Sequence, residues 1–278
     1  MQSLNMLRFS LLRLPTIGSF NAVAAKRFKR SSPCEFCAKN DDNPCFDIKN
    51  VKIERGSHCH SKLIRSFLYS QYWPREPTIS SLWMELNSPY LEVLTDQYSS
   101  SGDRFLAFEH VKRTSERKLI GVAVCNRIEP WQVEELDQWA NYTSTKPEKQ
   151  RMYFCAHCLK SPNLYKKYNV TYIYQVDILG TAADVTGHGV GTLLLKAVLK
   201  SAEEMRDPLV QVVSVSNYMS KICVKCGMKP VWTMNYTEFL DLHGQRVFFP
   251  RTPHREATVY IKYNDPKKPP VEPCKPPF

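Results

Sequence analysis

The 278-residue sequence has no apolar run long enough to cross a membrane, so we expect no membrane-embedded segment. It also has no internal repeat, which argues against repeat architectures. Acidic residues are absent from the first 33 positions, which hold six basic residues and carry +6 of the formal net charge of +11. The remaining chain carries only +5, which is less than nucleic-acid-binding proteins usually have. We therefore expect no nucleic-acid partner, and an anionic cofactor accounts for the surplus.

The two ends of the chain differ from its middle in composition. The leader is rich in Leu, Arg and Ser, as mitochondrial transit peptides are, but its arginines do not gather on one helical face. Arg8 and Arg13 also interrupt what would be the apolar core of a secretory signal. We predict a disordered basic leader over 1–45 in a cytoplasmic protein, with mitochondrial import as the alternative. The last 14 residues contain six prolines, which predicts a disordered tail over 265–278.

Ten cysteines raise the question of a metal site, because six of them form three pairs with two-residue spacing: Cys34 and Cys37, Cys155 and Cys158, Cys223 and Cys226. Structural zinc ribbons place their two pairs about 15 to 20 residues apart. Here 117 residues separate the first pair from the second, and 64 separate the second from the third. We predict reduced thiols and no metal, with Cys155, His157 and Cys158 as the first group to test for zinc.

The segment DVTGHGVGTLLLKAVL (184–199) places Gly187, Gly189 and Gly191 directly before an apolar segment with helical periodicity. The first turn of a helix offers unpaired N–H donors, and glycine lets an anion approach them closely. A nucleoside-triphosphate loop needs Lys and then Ser or Thr after the last glycine, but Thr192 and Leu193 follow here. A dinucleotide site needs a small residue at 192 and an acid ending the next strand, and both are missing. The pyrophosphate of coenzyme A, or a plain tight turn, remains.

Hydrophobic patterning predicts a mixed domain of helices and strands over 46–264. The helices include one through HSKLIRSFLYSQ, a second after Pro77, a helical insertion over 129–168, one from the glycine loop to about Met205, and a short one ended by Gly227. The strands are predicted at 48–54, 104–111, 118–124, 171–179, 209–216, 230–236 and 257–263, with the second and third forming an antiparallel hairpin.

This order of elements resembles the GNAT superfamily of acetyltransferases, whose cofactor loop reads Arg/Gln-x-x-Gly-x-Gly/Ala. The matching residues are Thr186, Gly189 and Gly191, so Thr stands in place of the basic or amide residue. Within the superfamily the chain looks most like the invertebrate arylalkylamine N-acetyltransferases of the dopamine and serotonin type. The likeness spans about 47–263 and is densest in WPREPTISSL, the loop and its helix, SNYMSKICVKCGM and PHREATVYIK.

The resemblance implies an α+β fold with a mainly antiparallel central sheet flanked by helices. It also implies acetyl-CoA as cosubstrate and a small arylalkylamine as acceptor. A GNAT enzyme acting on a polyamine or a protein amine is one alternative, and a non-catalytic protein that binds coenzyme A is another. The oligomeric state stays open.

The resemblance also assigns roles to residues. The family's acid before a proline corresponds to Glu76, the predicted general base, since an amine with a pKa near 10 must lose a proton before it can attack a thioester. Backbone N–H groups around Leu179, Gly180 and Thr181 are assigned to the oxyanion. The pyrophosphate is expected on the backbone of Gly187, His188, Gly189, Val190, Gly191 and Thr192.

Two parts of the site depart from the family or are less defined by it. The serines that meet the leaving thiolate in related insect enzymes correspond here to Val215 and Met219. Either Ser216, Ser220 or Tyr218 replaces them, or the thiolate leaves without an acid. An arylalkylamine pocket should be closed and aromatic, and five residues are expected to converge to form it: Tyr69, Tyr72, Trp73, Trp131 and Tyr153.

Overall fold

The structure, a computed structural model, describes residues 46–110 and 117–264. The predicted leader (1–45) and Pro-rich tail (265–278) lie outside the described residues, so those two predictions and the choice of compartment stay predictions. Within the described ranges, no helix is both long and apolar enough to cross a membrane.

Seven strands form one sheet in the order β1-β2-β3-β4-β5-β7-β6. In chain order they are β1 (Val51–Arg55), β2 (Asp103–His110), β3 (Arg117–Ile128), β4 (Ile173–Thr181), β5 (Leu209–Ser214), β6 (Lys229–Asn235) and β7 (Glu256–Tyr263). Every neighbouring pair is antiparallel except β4 and β5, which are parallel. The predicted mainly antiparallel sheet is therefore confirmed.

Helices cover both faces of this sheet. They are α1 (Ser61–Phe67), α2 (Pro77–Ser81), α3 (Pro89–Ser100), α4 (Pro130–Tyr142), α5 (Lys146–Lys160), α6 (Leu164–Tyr168), α7 (Val190–Glu204) and α8 (Asn217–Lys225). A Cβ at Gly121 of β3 would lie 2.8 Å from Leu194 of α7, whereas one at Gly180 of β4 would lie 2.8 Å from Tyr72. Since Gly180 pairs with Val122, next to Gly121, these two contacts lie on opposite faces of the sheet. Glycine at these points lets both helical layers approach closely.

The predicted helical insertion is confirmed as α4, α5 and α6. Helix α5 packs inward through Phe154, which is buried against the rings of Tyr236 and Phe248, with centroids 5.8 and 4.6 Å apart. The insertion is therefore anchored to the connection between β6 and β7.

Three details differ from the predicted elements. Helix α3 was not predicted, although Ser88 at its N-cap and Pro89 in its first turn are ordinary start signals. The first strand begins at Val51, because Asp47 caps a 3₁₀ turn over Ile48–Asn50. A π-helical turn, Leu68–Tyr72, and a 3₁₀ turn, Trp73–Arg75, extend α1 up to Glu76.

The sheet parts at its centre, because β4 and β5 separate where their parallel pairing ends. Strands β4 and β5 pair over three residues and separate after Val176 and Val212. The register of β4 against β3 shifts at this point, which leaves Asp177 as the extra residue of a bulge. Beyond it β4 follows β3 to Thr181, while β5 follows β7 to Ser214. A gap between the two halves of the sheet results.

Candidate active site

The gap between β4 and β5 opens into a cleft of about 480 Å³, within the usual size range of small-molecule sites. Residues from four parts of the chain line it, within 71–80, 176–186, 212–222 and 251–254. The predicted oxyanion segment is among them, because Leu179, Gly180 and Thr181 lie on the part of β4 that has no β5 partner.

The glycine loop follows Thr186, a residue of the cleft wall, and leads into α7. Gly187 and Gly189 have φ angles of +86° and +93°, and a Cβ at either would meet nothing within 4 Å. Glycine is therefore needed at these two positions for the positive φ angle and not for close packing, and the surface beside them is open.

The loop presents free backbone donors. Across the described part of the chain, no protein acceptor is found for five of the six predicted amides, those of Gly187, Gly189, Val190, Gly191 and Thr192. The sixth is engaged, since the His188 amide donates to the Val185 carbonyl at 3.3 Å. Such a group of amides at the start of a 15-residue helix can bind an anion.

Gly191 has a different reason to be glycine. A Cβ there would lie 2.8 Å from Ile222 Cδ1 of α8 and 3.4 Å from Leu179 Cδ2. Gly191 is thus required for the close packing of α7 on α8 and β4, and only its amide is offered to a ligand.

Arg75 brings a positive charge to this loop from another part of the chain. Its Nη1 donates to Thr186 Oγ1 at 3.4 Å, and its Nη2 donates to the Thr181 carbonyl. Gln71, one turn earlier, accepts from the Ala183 amide at 3.0 Å. The guanidinium therefore lies beside Thr186, the residue that corresponds to the basic or amide position of the GNAT cofactor loop.

Glu76 lies in the cleft wall, only 5% exposed, and caps α2. Its carboxylate accepts from the Ile79 amide at 2.5 Å and from Thr78 Oγ1 at 2.8 Å. A carboxylate has about four acceptor positions, so these donors fix its orientation and leave room for a further donor. A structural role as helix cap and a position suited to a base therefore coincide in one residue.

The three candidate proton donors to the leaving thiolate have different surroundings in the structure. Ser216 and Tyr218 line the cleft, whereas Ser220 does not and hydrogen-bonds Ser214 Oγ at 3.0 Å instead. Ser216 Oγ accepts from the Met219 amide at 3.1 Å and caps α8. The ring of Tyr218 packs on His254 at a centroid distance of 5.4 Å.

Two titratable residues of the cleft were missed by sequence reasoning. Asp177 sits on the β4 bulge, and burial raises the pKa of its carboxyl to about 6 against hydrogen bonds from Asn126 and Gln175. Burial lowers the pKa of His254, which a nearby Glu76 partly opposes, and its Nδ1 accepts from the Asn217 amide at 3.2 Å. His254 lies in the segment PHREATVYIK, whose family likeness could have drawn attention to it. Nothing in the sequence marks the bulge at Asp177.

The predicted aromatic pocket is not formed. Of its five residues, only Tyr72 lines the cleft. Trp73 is fully buried and its Nε1 donates to Thr95 Oγ1 at 2.8 Å, while Trp131 is 57% exposed on α4. The Tyr153 hydroxyl donates to Asn141 at 2.6 Å within the insertion.

The cysteine and histidine residues of 155–158 do not assemble a metal site together. His157 is exposed and packs edge-to-face on Trp232, whereas Cys158 is buried. Burial raises the pKa of both the Cys155 and the Cys158 thiol, which favours their protonated form. Among the described residues no three His, Cys, Asp or Glu side chains are placed to hold a metal ion, and Cys34 and Cys37 fall outside that part of the chain.

No family model and no curated protein matches the sequence, but solved structures match the fold. A mosquito arylalkylamine N-acetyltransferase-like protein 5b aligns with a TM-score of 0.69 and 19% identity, covering 77% of this chain and 99% of its own. Arylalkylamine N-acetyltransferase 2 from Aedes aegypti gives 0.67 and 17%, covering 78% and 100%. Polyamine N-acetyltransferase from Drosophila melanogaster, which forms N-acetylagmatine, gives 0.66 and 18%, covering 77% and 99%. The chain therefore has the GNAT fold, as its motifs predict.

Proposed function

We propose that this protein is an acetyl-CoA-dependent N-acetyltransferase that acetylates the primary amine of a small molecule. The observation that supports this best is the parted sheet. On a GNAT fold, the cleft between the separated strands contains a buried carboxylate, Glu76, and Thr186 of its wall leads directly into the open loop of anion-binding amides. These are the two groups that a thioester cofactor with a pyrophosphate and a protonated amine would need.

Acetyl-CoA would bind along the gap. Its pyrophosphate would accept hydrogen bonds from the free amides of 187 and 189–192, and Arg75 would supply the positive charge that Thr186 lacks. The thioester would then lie beside Leu179 to Thr181, where backbone N–H groups of the unpaired β4 edge can stabilise a developing oxyanion.

Glu76 would remove the proton of the incoming ammonium, directly or through water. An alkylammonium has a pKa of about 10, so at neutral pH almost none of it can attack until a base accepts its proton. The neutral amine nitrogen then forms a bond to the acetyl carbon and loses its second proton to water, and collapse of the tetrahedral intermediate breaks the carbon–sulfur bond and releases the thiolate. The capping hydrogen bonds hold the carboxylate in place during these steps.

The coenzyme A thiolate would receive its proton from Tyr218, with Ser216 as the second candidate. Both line the cleft, and in the described chain the Tyr218 hydroxyl has no hydrogen-bond partner. Ser220 is the least suited of the three because it faces Ser214.

Two classes of small amine are candidates for the acceptor. A small arylalkylamine fits the family likeness, although Tyr72 is the one residue of the predicted aromatic pocket that lines the cleft, where Tyr218 is a second aromatic side chain. A polyamine is the second candidate, since Asp177 adds another carboxylate to the cleft.

A thiol-release assay tests the function. Purified full-length protein is mixed with acetyl-CoA and each member of a panel containing tyramine, tryptamine, 1,4-diaminobutane, agmatine and a lysine-containing peptide. We expect amine-dependent thiol release with at least one small amine, and mass spectrometry should identify its N-acetyl product. Acetyl-CoA binding by calorimetry without turnover on any amine would instead support the non-catalytic alternative.

A further inference from the structure

Asp177 lies where the sheet parts and lines the same cleft as Glu76. Both of its oxygens accept from neutral amides: Oδ2 from Asn126 Nδ2 and Oδ1 from Gln175 Nε2, each at 2.7 Å. These bonds orient the carboxylate but bring no positive charge. Burial still raises the pKa of the carboxyl to about 6, so at neutral pH the site holds a desolvated negative charge.

The part of the chain that the structure describes provides no cation within 4 Å of this carboxylate. Asp207, a fully buried carboxylate, shows the usual arrangement, because Arg127 lies 2.7 Å from it. The two arginines of the cleft wall are placed elsewhere. Arg75 donates to Thr186 and Thr181, and Arg251 is exposed. Asp177 is partly buried, and a partly desolvated charge without a counter-charge is costly, so a cation that enters the cleft gains an interaction that the protein itself does not satisfy.

We propose that Asp177 binds a second positive charge on the acceptor, so that the preferred substrates are short diamines or guanidino-amines. This inference rests on the proposed function. Glu76 would receive the reacting ammonium and Asp177 the distal one, which gives one carboxylate to each charge. A monocationic arylalkylamine that placed its ammonium at Glu76 would find the rings of Tyr72 and Tyr218 but would leave Asp177 uncompensated.

A pair of isosteric amines isolates the second charge. 1,4-Diaminobutane and n-pentylamine each have six non-hydrogen atoms, so they differ in charge and hydration but hardly in length. We expect the wild-type kcat/KM to favour the diamine by about tenfold or more, which corresponds to about 1.4 kcal/mol. In the Asp177→Asn variant this ratio should fall by about tenfold or more, whereas Asp177→Glu, which keeps the charge, should retain part of it.

The wild-type ratio needs no variant, so it tests the inference even if Asp177→Asn fails to fold. A wild-type protein that acetylates n-pentylamine as efficiently as the diamine would overturn the inference and leave the proposed function intact. An equal loss for both amines in Asp177→Asn would also overturn it, since it would indicate a general disturbance of the cleft. If no amine is acetylated, calorimetric titration of 1,4-diaminobutane into the acetyl-CoA-saturated protein decides. Binding that Asp177→Asn abolishes supports the inference although the proposed function has failed, and absent binding overturns it.

Discussion

The two walls of the cleft recognise their ligands in different ways. The cofactor wall, which is the glycine loop that continues from Thr186 of the cleft, uses backbone: among the described residues five of its six amides have no protein acceptor, and Gly187 and Gly189 have positive φ with open space beside them. The acceptor wall uses side chains: Glu76 and Asp177 are held by hydrogen bonds from neighbouring groups. One wall is local in sequence, whereas the other combines residues about one hundred positions apart. Backbone recognition leaves a mark in the sequence, because it demands glycine, and side-chain recognition across distant elements leaves almost none.

The acceptor wall should give the largest effect. Glu76→Gln preserves the shape of the side chain and one acceptor for the Ile79 amide but removes the base, so kcat should fall by about 100 to 10,000-fold. Acetyl-CoA affinity should stay near wild type by calorimetry, and part of the rate should return at high pH, where more amine is neutral. Glu129→Gln is the matched control, since Glu129 also caps a helix but lies outside the cleft. Equal rates in the two variants between pH 6 and 9 would place the base elsewhere.

Two glycine substitutions distinguish ligand binding from packing in the cofactor wall. Gly189→Asp places a negative charge and a strained φ beside the free amides, so acetyl-CoA affinity should fall by about tenfold or more, or about 1.4 kcal/mol. Gly191→Ala should instead lower stability by about 1 to 3 kcal/mol, because its Cβ meets Ile222 Cδ1. The double variant Gly191→Ala with Ile222→Val removes that methyl and should recover much of the stability. Calorimetry and urea unfolding measure the two effects separately, and a loss of affinity without a loss of stability at Gly191 would contradict the packing explanation.

Tyr218→Phe should lower kcat by about tenfold at saturating acetyl-CoA. The expected effect lies below the usual range for a general acid because a thiolate leaves tolerably without one. Ser216→Ala should have a smaller effect, and Ser220→Ala is the control because its hydroxyl faces Ser214. The rate is followed with a chromogenic thiol trap. Three near-wild-type rates would mean that the thiolate leaves unassisted.

Arg75→Gln should weaken acetyl-CoA binding by about fivefold, or about 1 kcal/mol, because it removes a charged partner of the phosphates at a partly exposed position. The difference from wild type should shrink as salt is raised, since exposed charges are screened. Arg65→Gln is the matched control, because Arg65 pairs with Asp96 and Glu92 outside the cleft. An affinity loss that does not change with salt would point to a steric cause.

The last prediction concerns stability. Burial raises the pKa of Asp177 to about 6 in the folded protein from 3.8, so folding favours the protonated carboxyl. This contribution is complete below pH 4 and is lost as the pH rises through 6. Asp177→Asn should therefore gain stability relative to wild type between pH 4.5 and 8, by at most about 3 kcal/mol. Urea unfolding at the two pH values measures the change, and a difference independent of pH would show that the carboxylate is not desolvated.

The contrast between backbone and side-chain recognition also explains which features could be predicted from the sequence. The strands on either side of the gap, the insertion and the glycine loop follow from periodicity and local motifs, and the structure has all of them. Glu76 was reached only through the family resemblance, and its role as base stays a prediction. Asp177 was missed because a bulge depends on the register between β3 and β4, which no single strand encodes. The aromatic pocket was wrong because Trp73, Trp131 and Tyr153 were grouped by residue type, and only packing distinguishes a core tryptophan from an exposed one. The contact of Arg75 with the glycine loop could not be predicted from the sequence, because Arg75 and Thr186 are 111 positions apart.

The parted sheet also bears on how the protein avoids aggregation. An unpaired strand edge normally invites another chain to pair with it. The two outer edges of this sheet have features that disfavour pairing with another chain. Strand β1 is only five residues long and contains Lys52, Glu54 and Arg55, and β6 contains Pro230 beside a register shift. The edge of β4 beyond Val176 has only the bulge at Asp177, but it lies inside the sheet and faces β5. The fold therefore places this unpaired edge where a small ligand can enter and a foreign strand cannot.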